Sequence, residues 1–153
     1  MNDLKFFLGI EVPRSKKGIF ISQRKYTLEI IKDGGYVGVK PVDFPIKQNT
    51  MIFDEGELLK DPLVYSQVVG RLIYLTITRP DITYVVHILS RFMHAPCKPC
   101  MKVVMHVLRY LKNNLGQGLF FPSQNDLSLH AFCDSDWGGC LVSWKSTTGY
   151  CVF

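Results

Sequence analysis

The chain has 153 residues, of which 47% are hydrophobic, 20% charged and 12% aromatic, a composition typical of a globular protein and not of a disordered one. No apolar run approaches the roughly 20 residues that a membrane-spanning helix needs. The first five residues also lack the basic start and apolar stretch of a secretory signal. The sequence therefore excludes a membrane protein and predicts an intracellular location, cytoplasmic or nuclear.

The net charge of +5 is unevenly distributed along the chain. Residues 1–60 carry a balance of +2, residues 61–125 of +5 and residues 126–153 of −2. A basic middle segment attracts polyanions by counterion release, whereas an acidic end repels phosphate unless a divalent cation lies between them. The five cysteines are odd in number and follow no secretory signal, so we expect reduced thiols and no disulfide framework.

The first 60 residues predict a β-hairpin, a short helix and a connector. Residues 5–12 and 18–22 are rich in strand formers and flank a charged turn. Ser22 is expected to cap a helix that runs to Ile31 and ends at the two glycines that follow. Residues 39–60 show no clear period and predict an extended connector.

Three helices are predicted between residues 61 and 118. Asp61 and Pro62 provide a cap and a first-turn proline, and the helix that follows has an apolar stripe from Tyr65 to Ile73. The Thr-Arg-Pro-Asp turn at 78–81 starts a second helix, whose apolar side extends to Met93. After the break at 96–99, a third helix is expected to run to about residue 112.

The third helix has a basic face opposite its apolar face. Its members recur at spacings of three and four residues, which place them on one side of a helix: Lys98, Lys102, His106, Arg109 and Lys112 (or Asn113). One interpretation is the solvated side of an amphipathic helix. The other is a surface that contacts phosphates and requires cations without base-reading geometry, with Lys98, Lys102, Arg109 and Lys112 as the nucleic-acid-binding residues.

The last 35 residues predict strands. Residues 119–121 form a short strand, residues 127–133 alternate between apolar and polar, and residues 147–153 form a hairpin partner after a turn at 137–139. The final strand would present an apolar open edge, so we expect the chain to be truncated within this domain.

Asp134 and Asp136 are the candidate metal ligands. They follow an apolar strand and are two residues apart, so they share a face of that strand. Paired carboxylates of this kind can hold Mg²⁺ for phosphodiester chemistry. The alternative is an Asx-rich turn that closes the hairpin. No glutamate follows Glu57, so a full carboxylate cluster cannot be assembled from the remainder of the chain.

A zinc site is a weaker alternative. Its ligands would be His94, Cys97, Cys100 and His106, which are of the right chemical type. A single Cys-x-x-Cys pair without a second pair is a poor zinc signal, and His106 lies on the basic face. We favour a loop with two incidental thiols.

Taken together, five blocks resemble the polymerase region of copia-type LTR retrotransposons. They are FFLGIEV (6–12), GIFISQRKYTLEII (18–31), VVGRLIYLTITRPDI (68–82), VLRYLK (107–112) and FCDSDWGGC with STTGYCVF (132–153). The resemblance implies that residues 1–60 are the end of a reverse-transcriptase palm and a connector. It implies a thumb- or connection-like helical region at 61–118 and the first strands of an RNase H-like domain at 119–153.

The resemblance also implies a role for each candidate site. Asp134 would be an RNase H ligand for Mg²⁺, with Asp136 accessory, and the basic helix would face an RNA–DNA hybrid. The polymerase Val-Asp-Asp motif of the family is absent, and the remaining RNase H carboxylates would lie beyond Phe153. We therefore expect an α+β fragment of a Pol polyprotein that is inactive alone, holds no Mg²⁺ stably and has no small-molecule substrate.

Two other hypotheses remain open. The chain could act as a non-enzymatic module that binds duplexes without sequence preference through its basic helix. Alternatively, it could fail to form a stable fold, because half of the RNase H sheet would be missing.

Overall fold

The structure is a computed structural model that describes residues 5–46, 56–124, 128–136 and 147–152, without the side chains of Asp136, Thr147 and Thr148. It divides into two units, residues 1–122 and 123–153. In chain order the strands are β1 (Phe6–Phe7), β2 (Ile10–Glu11), β3 (Arg14–Ser15), β4 (Gly18–Ser22), β5 (Gly118–Pro122), β6 (Ala131–Asp136) and β7 (Thr147–Val152). The helices are α1 (Arg24–Asp33), α2 (Pro62–Leu75), α3 (Thr83–Ser90) and α4 (Lys98–Asn113). The predicted combination of helices with antiparallel sheets is confirmed.

The N-terminal sheet is centred on β4. One edge of β4 pairs with β3 and, through Ser22, with β2, while β5 pairs along the other edge. The predicted continuous strand over residues 5–12 is wrong. Leu8 and Gly9 both have positive φ values, 48° and 80°, and they fold this segment into a tight turn between β1 and β2.

Strand β5 belongs to the first unit. The sequence grouped residues 119–121 with the C-terminal strands, but β5 pairs with β4 over five residue pairs, from Gly18–Pro122 to Ser22–Gly118. The close approach requires glycine, since a Cβ on Gly118 would collide with the carbonyl oxygen of Ile21 and lie 2.9 Å from Phe20 Cζ. The first unit therefore ends at Pro122.

Helix α1 begins one residue later than predicted. Its N-cap is Gln23 instead of Ser22, and the carbonyl oxygen of Gln23 accepts hydrogen bonds from both the amide and the hydroxyl of Thr27. The predicted end is confirmed, because Gly34 forms the C-cap and Gly35 takes a positive φ of 75°. Ile30 and Ile31 point into the helical core.

Helices α2, α3 and α4 form the core of the first unit with α1. Asp61 caps α2 as predicted, accepting a hydrogen bond from the amide of Leu63 at 2.9 Å. The second predicted helix starts with a short 3₁₀ turn at Pro80–Ile82 and ends at Ser90 instead of Met93. It ends early because the amides of Arg91, Phe92 and Met93 bond to carbonyls only three residues back. Fully buried apolar side chains line all three helices, among them Val69, Leu72, Leu75, Val85, Leu89, Val104, Val107 and Leu111.

The second unit contains the predicted antiparallel hairpin. Strands β6 and β7 pair over six residues, from Ala131–Val152 to Asp136–Thr147. The turn predicted at 137–139 lies outside the described residues. In the part of the chain that the structure covers, no helix has the length and apolar character to cross a bilayer.

Candidate nucleic-acid interface

Helix α4 carries the predicted basic face and is the longest helix that the structure describes. Cys97 is its N-cap and Pro99 lies in its first turn, where proline is tolerated because the amide has no helical partner. Its apolar side is buried from Cys100 to Leu111. The basic side chains consequently point away from the core.

The first two predicted cations differ in their surroundings. Lys98 Nζ lies 2.5 Å from Glu57 Oε2, and both side chains are more than half exposed. An ion pair so open to water contributes little, about 0–1 kcal/mol. Lys102 is exposed and makes no hydrogen bond or ion pair with any residue that the structure describes.

The remaining basic residues hold residues 36–46, called the connector from here on, against α4. Lys112 Nζ donates to the carbonyl oxygens of Val37 and Val39 at 2.5 and 2.8 Å, and Arg109 Nε donates to that of Lys40 at 2.8 Å. One turn earlier, His106 Nε2 donates to the carbonyl oxygen of Phe44 at 3.0 Å, so this nitrogen carries the proton. The connector thus runs antiparallel to the helix, with its carbonyl groups pointing at the basic face.

These contacts leave most of the charge on the basic face unneutralised. Carbonyl oxygens are neutral acceptors, so the hydrogen bonds of Arg109 and Lys112 to the connector do not pair these side chains with a negative charge. At the end of the same helix, Asp43 accepts a hydrogen bond from Asn113 Nδ2 at 3.2 Å. Burial raises the pKa of Tyr36, and the nearby charge of Arg109 partly opposes that rise. The surface formed by Lys102, Arg109 and Lys112 is therefore an electropositive strip.

Sequence reasoning missed the connector as a partner of the basic face. It identified the cations from their helical spacing, but it gave no sign that they would bind backbone carbonyls some 70 residues earlier. Every residue has the same backbone carbonyl group, whatever its side chain. Neither composition nor periodicity therefore shows which carbonyl groups would accept these hydrogen bonds. The weak indication available was that residues 39–60 show no clear helical or strand period in the sequence.

The candidate carboxylates lie in β6. Asp134 is exposed and its position pairs with Gly149 across the hairpin, and position 136 pairs with Thr147. The side chain of Asp136 lies outside the described residues. Asp134 is the one carboxylate side chain that the structure describes at this edge, and it could supply one or two of the oxygen ligands that Mg²⁺ requires. The Mg²⁺ role of Asp134 and Asp136 stays a prediction.

The prediction that all cysteines are reduced thiols is wrong for one pair. Cys97 and Cys100 form a disulfide, because the N-cap and the third helical residue lie on the same turn with their Cα atoms 5.2 Å apart. Cys133 and Cys151 are free and exposed. Among the described residues, no three His, Cys, Asp or Glu side chains are grouped to hold a metal, so the alternative zinc site does not form.

Comparisons with known proteins give relatives over nearly the whole chain. An uncharacterized mitochondrial protein of Arabidopsis thaliana is 38% identical over 155 aligned residues, which cover 100% of this chain and 64% of that protein. The retrovirus-related Pol polyprotein from transposon RE2 of the same plant is 41% identical over 99% of this chain. The corresponding polyprotein from transposon TNT 1-94 of Nicotiana tabacum is 32% identical over 94%.

The chain spans 10% and 11% of the lengths of these two polyproteins, so it corresponds to a small part of each. No family model matches the chain. No solved structure matches it either. Both Pol polyproteins nevertheless align almost from one end of this chain to the other. The chain belongs to the retrovirus-related Pol polyproteins of copia-type transposons.

Proposed function

We propose that this chain supplies a duplex-facing surface of a transposon Pol protein, in a process related to RNA-directed DNA synthesis and integration of a mobile element. In this proposal residues 61–118 act as a thumb- or connection-like region whose helix α4 faces an RNA–DNA hybrid. Residues 1–60 complete a palm and connector, and residues 119–153 open an RNase H-like domain. The Pol polyproteins among the relatives support this assignment.

The observation that carries the proposal is the electropositive strip of Lys102, Arg109 and Lys112. These side chains contact neutral carbonyls or solvent in the described part of the chain, so their charge is available to phosphates. Phosphate contacts need cations and no base-reading geometry. Binding is therefore expected to be independent of sequence and weakened by salt.

Fluorescence anisotropy with a labelled 20-base-pair RNA–DNA hybrid tests the proposal. We expect binding at low salt, with log Kd rising linearly with log salt concentration. Lys102→Gln, Arg109→Gln and Lys112→Gln combined should reduce that slope by roughly 2 to 3, since each phosphate contact contributes about 0.9. Glutamine removes the charge but retains a donor for the connector carbonyls.

The matched control removes the same charge elsewhere. Lys17, Lys25 and Lys32 are exposed and lie on the β3–β4 turn and α1, so their combined change to Gln should leave the slope nearly unchanged. Equal losses of affinity in both triple variants would mean that binding depends only on the net charge of the protein. That outcome would overturn an interface on α4. Absence of binding by the parent protein at low salt would overturn it as well.

We further propose that this chain does not hydrolyse nucleic acid by itself. Two-metal hydrolysis requires carboxylates from several elements to clamp both ions. Beyond Glu57 the sequence has only five aspartates, and one of them, Asp81, is committed to Arg79. Cleavage of the hybrid in Mg²⁺ or Mn²⁺ that disappears in Asp134→Asn would contradict this.

A further inference from the structure

The start of α4 contains a chemical group that the proposed function does not use, the Cys97–Cys100 disulfide in the sequence Cys-Lys-Pro-Cys. Both cysteines are almost fully buried, at 2% and 0% exposure, although they lie in the first turn of a surface helix. Cys97 Sγ also accepts a hydrogen bond from the amide of Cys100 at 3.3 Å. A disulfide in this position is therefore part of the helix cap.

A short segment, the strap Gly56–Leu59, covers this pair. The strap runs antiparallel to residues 96–98, where Lys98 N donates to Glu57 O and Leu59 N donates to Pro96 O, each at 2.9 Å. The exposed ion pair between Lys98 and Glu57 adds a third contact. Gly56 lies so close that a Cβ there would be 2.8 Å from Pro99 Cδ and 3.3 Å from Cys97 Cβ.

We propose that Cys97 and Cys100 are a reversible thiol–disulfide pair and that the strap Gly56–Leu59 controls access to it. The disulfide is buried under a segment held by two backbone hydrogen bonds and an ion pair that water screens. Local opening of such a segment requires far less free energy than global unfolding. Opening the strap exposes the side of Cys97, which pairs with Leu58 of the strap and whose Cβ would lie 3.3 Å from a Cβ on Gly56.

The exchange partner is a low-molecular-weight thiol of the glutathione class. Its thiolate attacks Cys97 Sγ, a mixed disulfide forms, and Cys100 leaves as a thiolate that takes up a proton. A second thiol attacks the mixed disulfide and releases Cys97. The net reaction converts one protein disulfide and two thiols into a protein dithiol and one small-molecule disulfide.

The helix stabilises the reduced product at Cys97. A thiolate at the N-cap faces the positive end of the helix dipole and the Cys100 amide that already donates to this sulfur. Both effects favour the thiolate over the thiol. In the reverse reaction the Cys97 thiolate therefore attacks the small-molecule disulfide and releases one thiol, and Cys100 then attacks the mixed disulfide at Cys97 and releases the second thiol.

The first experiment uses the full chain with Cys133, Cys140 and Cys151 changed to Ser, so that one pair remains. The protein is equilibrated at set ratios of reduced to oxidised glutathione, quenched in acid, alkylated and weighed by intact mass spectrometry. We expect a single transition between no alkylated thiols and two. Two alkylated thiols at every ratio would overturn the proposal, as would a stoichiometric zinc ion that survives dialysis of the reduced protein.

The second experiment tests the strap through the rate of reduction by glutathione. Gly56→Ala should accelerate reduction roughly tenfold or more, because its Cβ displaces the strap from Pro99. Glu57→Gln should accelerate it only a few fold, since it removes an exposed ion pair. Glu29→Gln on α1 removes an equal charge elsewhere and should have no effect.

A double variant separates strap opening from general destabilisation. Pro99→Ala removes the ring that a Cβ on residue 56 would meet, so Gly56→Ala should accelerate reduction much less in the Pro99→Ala background. An equal acceleration in both backgrounds would overturn control by the strap. The same conclusion would follow if the rate of reduction matched the rate of global unfolding in every variant.

Discussion

Arg79 holds Asp81 through two parallel hydrogen bonds, from Nε to Oδ1 at 2.9 Å and from Nη2 to Oδ2 at 2.7 Å. Arg79 is 1% exposed, which is unusual for an arginine. Its third nitrogen donates to the carbonyl oxygen of Asn114 at 2.9 Å, and Tyr110 donates its hydroxyl to Asp81 at 2.8 Å. This network links the turn before α3 to the end of α4.

The first prediction concerns removal of the buried cation. Arg79→Met leaves Asp81 without its main partner and frees the Asn114 carbonyl, so we expect a loss of about 3 kcal/mol of unfolding free energy. Arg79→Met combined with Asp81→Leu should lose less, because no unpaired charge remains. Chemical denaturation measures the unfolding free energy of Arg79→Met, of Asp81→Leu and of the double variant. If the loss in the double variant equalled the sum of the losses in the two single variants, Arg79 and Asp81 would not be coupled.

A second prediction concerns acid stability. Burial alone would raise the pKa of Asp81, but hydrogen bonds from Arg79 and Tyr110 and the charge of Arg79 hold it below its ordinary value. The Asp81 carboxylate therefore stabilises the fold at any pH above its unfolded pKa. That contribution disappears as the pH falls through the lower, folded pKa. The stability difference between the parent and Asp81→Asn should be constant near neutral pH and shrink below about pH 4.

The helical core was largely predictable from the sequence, whereas this network was not. The apolar stripes of α2 and α4 have the helical period, and Asp61 and Pro62 mark a helix start, so local chemistry determines those elements. The sequence Thr-Arg-Pro-Asp was correctly interpreted as a turn. Nothing local indicated that Arg79 would be buried, because its partners Tyr110 and Asn114 lie more than 30 residues away.

The third prediction concerns Tyr65, which is fully buried in α2. Its hydroxyl donates to the carbonyl oxygen of Leu89 at 2.8 Å, and burial raises its pKa to about 12. The folded pKa is above the unfolded value, so this group stabilises the fold fully below about pH 10 and the contribution is lost as the pH rises toward 12. Tyr65→Phe should be about 1 kcal/mol less stable at neutral pH.

Alkaline denaturation distinguishes the two proteins. Between pH 10 and 12 the parent should lose stability relative to Tyr65→Phe, so the gap between them closes. Circular dichroism melts in this range measure the gap. A gap that stays constant up to pH 12 would indicate that Tyr65 ionises no more easily in the unfolded chain than in the folded one.

The fourth prediction concerns the connector on α4. Lys112→Met removes the ammonium group that donates hydrogen bonds to the carbonyl oxygens of Val37 and Val39, so residues 36–46 should detach from α4 more often. Two hydrogen bonds of about 0.5–1.5 kcal/mol each correspond to roughly a 5- to 150-fold rise in local opening. Limited proteolysis within this segment should accelerate accordingly. Lys102→Met on the same helix is the control, and equal acceleration in both would argue against the contact.

The candidate interface was predictable only in part, for a related reason. Helical spacing correctly placed Lys98, Lys102, Arg109 and Lys112 on one face of α4. The partners of that face are an acidic side chain, Glu57, and backbone carbonyls of the connector, which a helical wheel cannot reveal. A charge pattern identifies which side chains share a surface, but the long-range path of the chain decides which of them are already engaged.

The last prediction compares two glycines in different surroundings. Gly70 is in the interior of α2, and a Cβ there would meet no atom within 4 Å, so Gly70→Ala should stabilise the protein by about 0.5–1 kcal/mol through the lower entropy of the unfolded chain. Gly118→Ala places its Cβ against the Ile21 carbonyl and the Phe20 ring, so it should lower the melting temperature and separate β5 from β4. Hydrogen exchange of the β4 amides reports that separation directly. Protection unchanged in Gly118→Ala would mean that β5 does not pair with β4 in the register from Gly18–Pro122 to Ser22–Gly118.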